Sequence, residues 1–174
     1  MVLRSVLANI MTNIADTDDS AARLQAIRQF YGDAPRTSDW IAVTQGNIDQ
    51  FCTATGDSDW MHVDPVRAAR ESPFGGCVAP GFWSLSMLPY LARSVTGDGY
   101  PAGAALAINY GFDRIRFTGP VPVGARVRLA FKLAEVTARE GGRYLVRSST
   151  TVEVEGRDQP ALVAEWMFLL VYGS

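Results

Sequence analysis

With 174 residues, 48% of them apolar and 20% charged, the chain has the length and balance of one globular domain able to bury a real core. A formal net charge of −2 removes the global basic footprint that nucleic acid or an anionic membrane calls for, while leaving room for a local Arg cluster on a phosphorylated ligand. Two cysteines, Cys52 and Cys77, are too few for a disulfide scaffold and read as reduced thiols of a cytoplasmic protein.

No apolar run approaches the roughly 18–20 residues that cross a bilayer. The opening stretch is interrupted by Asn9, Thr12 and Asn13, and no small-residue cleavage site follows it, which argues against a secretory leader. Asp18, Asp19 and Ser20 then precede Leu24, Ile27 and Tyr31 at helical spacing, closed by Gly32. Acidic residues at the start and glycine at the end are helix start and stop signals, so an amphipathic helix is expected ahead of the main domain. The expected division is a helical extension over 1–39 and a domain over 40–174.

Residues 33–39 read as a loop around Pro35, and Trp40–Val43 as a short strand. Thr44 offers an N-cap for a helix holding Ile48, Phe51 and Cys52 and ending at Gly56. A second short helix is expected over Asp64–Glu71, with Pro65 in its first turn. The segment Gly81–Val95 is apolar on nearly every side, the pattern of a buried helix, and Pro89 should kink or divide it. Thr96–Gly103 is a Gly/Pro loop.

After residue 105 the period changes to two. Val127, Leu129, Phe131 and Leu133 alternate with polar or small neighbours, as do Val146, Ser148, Thr150, Val152 and Val154. Gly141-Gly142 between them marks a hairpin. With Ala161–Tyr172 and Phe112–Thr118 these runs predict an antiparallel meander. The fold class is therefore α+β, with a sheet curled around a central apolar helix.

His62 is the single histidine, so imidazole proton transfer near neutral pH has one candidate. It sits in Thr55-Gly-Asp-Ser-Asp-Trp-Met-His-Val-Asp64, where Asp57, Asp59 and Asp64 are close in sequence. A carboxylate and an imidazole on one tight turn can share a water. The competing structural role for the same residues is helix capping and turn packing. One His and two separated Cys make a poor zinc set, so no metal is expected. Cys77 with His62 as a nucleophilic pair lacks a supporting motif. Pro80-Gly81 opens the buried helix, where unpaired N–H groups meet a ligand carbonyl, and Gly81 permits close approach.

Together these features resemble the MaoC-like dehydratases, which include the (R)-specific enoyl-CoA hydratases. The resemblance lies in Phe51…Gly56-Asp57…His62-Val63-Asp64-Pro65…Ala68-Ala69, then Pro73-Phe74-Gly75-Gly76, Pro80-Gly81, and the nodulation-type stretch Asn109–Phe117 with Pro120–Gly124. It covers roughly residues 40–172 and implies a hot-dog fold that pairs as a homodimer. It implies Asp57 and His62 as the catalytic pair, with the Gly81 amide on the thioester carbonyl. Phe82, Trp83 and Asn109 are candidate substrate contacts. The reaction implied is hydration of 2-enoyl thioesters or the reverse dehydration, without a cofactor, the substrate being carried on coenzyme A or an acyl-carrier protein. Arg114, Arg116 and Arg126 are candidates for the coenzyme phosphates.

Two departures stand out. Asp59-Trp60 replaces the family's usual Asn-Pro, and Pro80 replaces its His before Gly81, which removes a side chain but keeps the Gly81 N–H. A non-catalytic acyl-thioester binder is the alternative reading. A thioesterase would need a carboxylate leading into the central helix, and Ser72–Ala92 contains none.

Overall fold

The computed structural model describes residues 19–97 and 99–173; the leader reading of the first residues, the start of the first helix at Asp18, and Asp98 in the Gly/Pro loop lie outside them. In chain order the elements are helix α1 (residues 19–31), strands β1 (Arg36–Thr37) and β2 (Ile41–Ala42), and helices α2 (Gln45–Thr55), α3 (Trp60–Val63), α4 (Pro65–Glu71), α5 (Gly81–Ser86) and α6 (Leu88–Thr96). Strands β3 (Ala104–Phe117), β4 (Arg126–Arg139), β5 (Arg143–Val154) and β6 (Leu162–Tyr172) complete them.

Period-two patterning becomes one antiparallel sheet in the order β1-β4-β5-β6-β3, with β2 also on β4. Val127, Leu129 and Phe131 of β4 and Val146, Ser148, Thr150, Val152 and Val154 of β5 all point inward, as their alternation requires. Burying two hydroxyls is tolerable because Ser148 donates to the Trp166 carbonyl at 3.0 Å and shares a 3.1 Å bond with Thr150. At the β4–β5 turn Gly141 and Gly142 adopt φ of 70° and 64°. A Cβ on Gly142 would lie 3.1 Å from the Tyr172 carbonyl, so glycine is needed there on two counts.

Two expectations are corrected. The meander holds only for β4-β5-β6, because β3 pairs with β6 at the far edge. Thr118 N–H donates to Ala161 at 2.8 Å, continuing the β3–β6 pairing past Phe117, and the chain then crosses to β4, where Gly124 N–H donates to Val43 at 2.8 Å. The loop expected at 33–39 contains β1, whose Arg36 and Thr37 pair with Phe131 and Ala130.

The helices follow their sequence signals. Gly32 ends α1 at φ 73°, and Ile27 and Tyr31 are buried in the same core as the sheet. Thr44 caps α2 by accepting from Asn47 N–H at 3.2 Å, and Gly56 closes it in the left-handed region. The central helix is divided at Met87 into α5 and α6, with Pro89 in the first turn of α6.

Trp83, Leu88, Leu91 and Val95 pack on the sheet, whereas Phe82 and Tyr90 stand exposed. The sheet covers only one side of this helix, so the side expected to be buried is open in the single chain. Among the described residues no helix is long and apolar enough to cross a membrane.

Leu129 is fully buried beneath the central helix. Leu129→Ala should lower unfolding free energy by about 2–5 kcal/mol, measured in urea melts.

Candidate active site

α2 ends because Gly56 turns left-handed, its N–H on the Cys52 carbonyl at 2.9 Å. The chain then has three carboxylates close to His62 in sequence, and local backbone geometry separates them. Asp59 caps α3, accepting from Met61 N–H at 2.9 Å. Asp64 caps α4, accepting from Arg67 N–H at 2.9 Å. Asp57 caps nothing: it is exposed, and no hydrogen bond or ion pair engages its carboxylate among the described residues. The capping role thus accounts for two of the three and leaves Asp57 uncommitted.

His62 lies on α3, a turn of helix that the sequence signals do not announce. Its Nδ1 sits 2.7 Å from the Val78 carbonyl oxygen. A carbonyl can only accept, so Nδ1 carries the hydrogen, and neutral His62 keeps its lone pair on Nε2. The peptide on its other side is held as well, since Gln45 donates from Nε2 to the His62 carbonyl at 2.6 Å and to Asp49 at 2.8 Å. No hydrogen bond or ion pair joins Asp57 to His62 among the described residues.

Val78 belongs to a clamped segment. Its N–H donates to Met61 at 3.1 Å, Ala79 N–H to Val121 at 2.8 Å, and Val123 N–H to Cys77 at 3.0 Å. The clamp delivers the chain to Pro80 and Gly81, bringing the start of α5 within three residues of the His62 tether. Gly81 has a packing reason of its own: a Cβ there would stand 3.0 Å from the Phe117 ring of β3. Pro80 supplies no side-chain cap, and its carbonyl accepts from Trp83 N–H at 3.0 Å.

The remaining candidates divide. Trp83 is a core residue, 2% exposed, and Phe82 points outward at 66% exposure, 5.6 Å from the Phe117 ring. Asn109 lines a cavity of about 520 Å³ between α6, α1 and the sheet, together with Tyr31, Pro89, Phe131, Trp166 and Phe168. Its Oδ1 accepts from the Trp166 indole N–H at 3.1 Å. Because indole only donates, the amide orientation is fixed and the Asn109 NH₂ is left for other partners.

Arg114 pairs with Glu165 at 3.0 Å, and Arg126 is held by Glu155. Arg116 donates to the Ile115 carbonyl at 2.7 Å.

Trp60, where the family pattern has Pro, lies under the Arg67 guanidinium at 4.3 Å. Arg67 also bonds Glu71 at 2.7 Å, so Trp60 ties α3 to α4. Burial, then Asp49 and Asp64, push the Cys77 thiol up, the opposite of what an activated nucleophile needs.

Sequence reasoning missed Gln45 and the Val78 carbonyl. An acceptor on the main chain has no residue signature, and Gln45 reads only as a polar residue in the first turn of a helix.

Residues 27–155 match the MaoC like domain family. The chain is 45% identical over 150 residues to 3-hydroxyacyl-thioester dehydratase Z of Mycobacterium tuberculosis, covering 86% of this chain and 94% of that one. It is 42% identical over 135 residues to Nodulation protein N of Rhizobium leguminosarum bv. viciae, covering 78% and 83%. Among solved structures, a Monoamine oxidase regulatory protein from Archaeoglobus fulgius superposes with a TM-score of 0.69 at 22% identity, covering 82% of this chain and 91% of that one; at that identity it speaks to the fold.

Since His62 is the single histidine, its ring gives the only imidazole signals in proton–nitrogen correlation spectra. Neutral His62 should appear as the Nδ1–H tautomer. A dominant Nε2–H form would contradict the tether to Val78.

Proposed function

The chain belongs to the MaoC-like dehydratases, and on that footing we propose that Asp57 and His62 carry out its chemistry on one water. It is a hydratase/dehydratase of 3-hydroxyacyl thioesters. The observation that carries the proposed mechanism is the His62–Val78 bond, which fixes the ring and leaves Nε2 basic.

In the hydration direction, Asp57 orients the water by accepting one hydrogen while Nε2 takes the other. The oxygen bonds to the β-carbon as electron density moves onto the thioester carbonyl, where the Gly81 N–H stabilises the enolate oxygen. The imidazolium then returns its proton to the α-carbon on the same face. Dehydration reverses these steps, and no cofactor enters. The acyl group extends along α6 into the cavity, where Asn109 is available to it. Coenzyme A is the proposed carrier, and Arg116 is the first candidate for its phosphates because Arg114 and Arg126 already face carboxylates. We place the reaction in the cytoplasm, in keeping with two buried free thiols.

The active form we propose is a homodimer. β3 ends the sheet with one edge unpaired among the described residues, and it exposes Leu106, Ile108 and Tyr110 on one face. A long apolar edge strand needs a cover, as do Phe82 and Tyr90 on the open side of the central helix. Residues 1–39 form, on this reading, an extension to the catalytic domain 40–174.

Purified protein should consume crotonyl-CoA with loss of the conjugated thioester absorbance. Asp57→Asn and His62→Ala should each lower kcat/KM at least about a hundredfold; full activity in either variant overturns the assigned pair. Acyl-CoA binding without turnover of any enoyl thioester would favour the binder instead. Ile108→Asp should yield monomers in sedimentation, and an unchanged dimer would move the interface elsewhere.

A further inference from the structure

The cavity beside α6 is unusual in its composition and in what closes it. Three of its walls are aromatic rings of the sheet: Phe131, Trp166 and Phe168. Two further rings line it: Tyr100 from the connection before β3, and Tyr31 from α1, outside the stretch that carries the proposed catalytic pair. Tyr31 lies 5.5 Å from Phe131 and 5.6 Å from Phe168, while Trp166 and Phe168 are 5.4 Å apart.

The place of α1 is fixed by Arg36, which donates to the Phe30 carbonyl at 3.1 Å and to the Val95 carbonyl. One guanidinium thus bonds the end of α1 to the last turn of α6. Gly81 lies at the opposite end of the α5–α6 pair. Tyr31 therefore stands beside the end of α6 that is remote from Gly81.

Its side chain is only 5% exposed, yet its hydroxyl makes no hydrogen bond among the described residues. Tyr172, 4% exposed, likewise has a hydroxyl without a partner. Burial, followed by the neighbouring Tyr172 and Tyr100, pushes the Tyr31 hydroxyl up, so it stays a neutral donor and acceptor. Tyr31 borders the cavity and its hydroxyl has no protein partner among the described residues, so it is open to a hydrogen bond with whatever enters.

We propose that Tyr31 is a specificity residue, reading an oxygen at the distal end of the acyl group, and that the preferred substrates are acyl thioesters ending in a flat ring that carries such an oxygen. The inference rests on the hydratase reading for its substrate class. The rings supply faces for stacking, the Asn109 NH₂ offers a donor along the way, and Tyr31 supplies the terminal hydrogen bond. The cavity volume lies in the range of ordinary small-molecule sites.

The test uses binding of saturated thioesters, which cannot react, so it stands apart from the catalytic claim. ω-(4-Hydroxyphenyl)hexanoyl- and octanoyl-CoA are compared with their ω-phenyl counterparts by calorimetry on the full chain. Wild type should bind a hydroxyphenyl ligand at least about tenfold more tightly than its phenyl counterpart. Tyr31→Phe should remove that preference while leaving the affinity for the phenyl ligands within about threefold. A preference absent in wild type, or one that persists in Tyr31→Phe, overturns the proposal.

A second readout guards against a folding defect in the variant. In fluorotyrosine-labelled wild type the Tyr31 resonance should shift with the hydroxyphenyl ligand and not with the phenyl one, and equal shifts would overturn the assignment. Failure of crotonyl-CoA turnover alone would strike the hydration mechanism and leave these binding results to decide Tyr31.

Discussion

The clamp on residues 77–79 is the constraint on which the rest of the site depends. Three separate parts of the chain meet there: the α3 turn through Met61 and His62, the β3–β4 connection through Val121 and Val123, and the start of the central helix through Pro80. Backbone bonds set the strand-like run of Val78 beside Pro122, and the imidazole adds one side-chain bond to the same residue. A catalytic group positioned by main-chain atoms inherits their rigidity, and its protonation pattern becomes a property of the fold. Pro80 leaves the clamp intact, since none of its bonds uses the side chain of that residue. What the clamp delivers to the helix start is a backbone direction, and the Gly81 N–H survives the change of the neighbouring side chain.

Around that clamp the electrostatics are mostly structural. Arg147 sits between Asp113 and Glu165 at 2.8 and 3.1 Å, and Arg114 joins Glu165, so β3, β5 and β6 are laced together across one face. Exposed pairs of this kind add little stability individually. Their effect is to hold register between strands whose apolar side chains lie on the other face.

Much of the frame was legible from residue pattern. The period of two in β4 and β5, the Gly141-Gly142 turn, Thr44 and Gly56 around α2, and Pro65 and Pro89 all act locally, and local chemistry is what a sequence displays. The strand partner of β3 was not legible, because β6 and the Val43 carbonyl that anchors the following connection are both remote in sequence. The apolar pattern of residues 81–95 predicts burial on nearly every side, whereas the sheet of the single chain covers one side and leaves Phe82 and Tyr90 exposed.

At the site, the spacing of Asp57 and His62 was visible, and the rival capping role proved right for Asp59 and Asp64. Gln45 and the Val78 carbonyl were invisible for a different reason: their contribution is geometry, and nothing in their side-chain type marks it. Tyr31 was seen as a helix residue facing inward, which it is. That its ring faces a cavity as well as a core could not be read from helical spacing.

Strand β3 serves two surfaces by turns. Leu106, Ile108 and Tyr110 face outward along the open edge, while Ala107 and Asn109, between them, face the cavity. Alternation binds these surfaces together, since a slip of one residue exchanges every inward and outward side chain. The register with β6 already shifts between Asn109 and Gly111, directly beside the cavity contact. An insertion or deletion in the first half of β3 would therefore alter the outward edge and the cavity wall in a single stroke, whereas point substitutions can change one and spare the other.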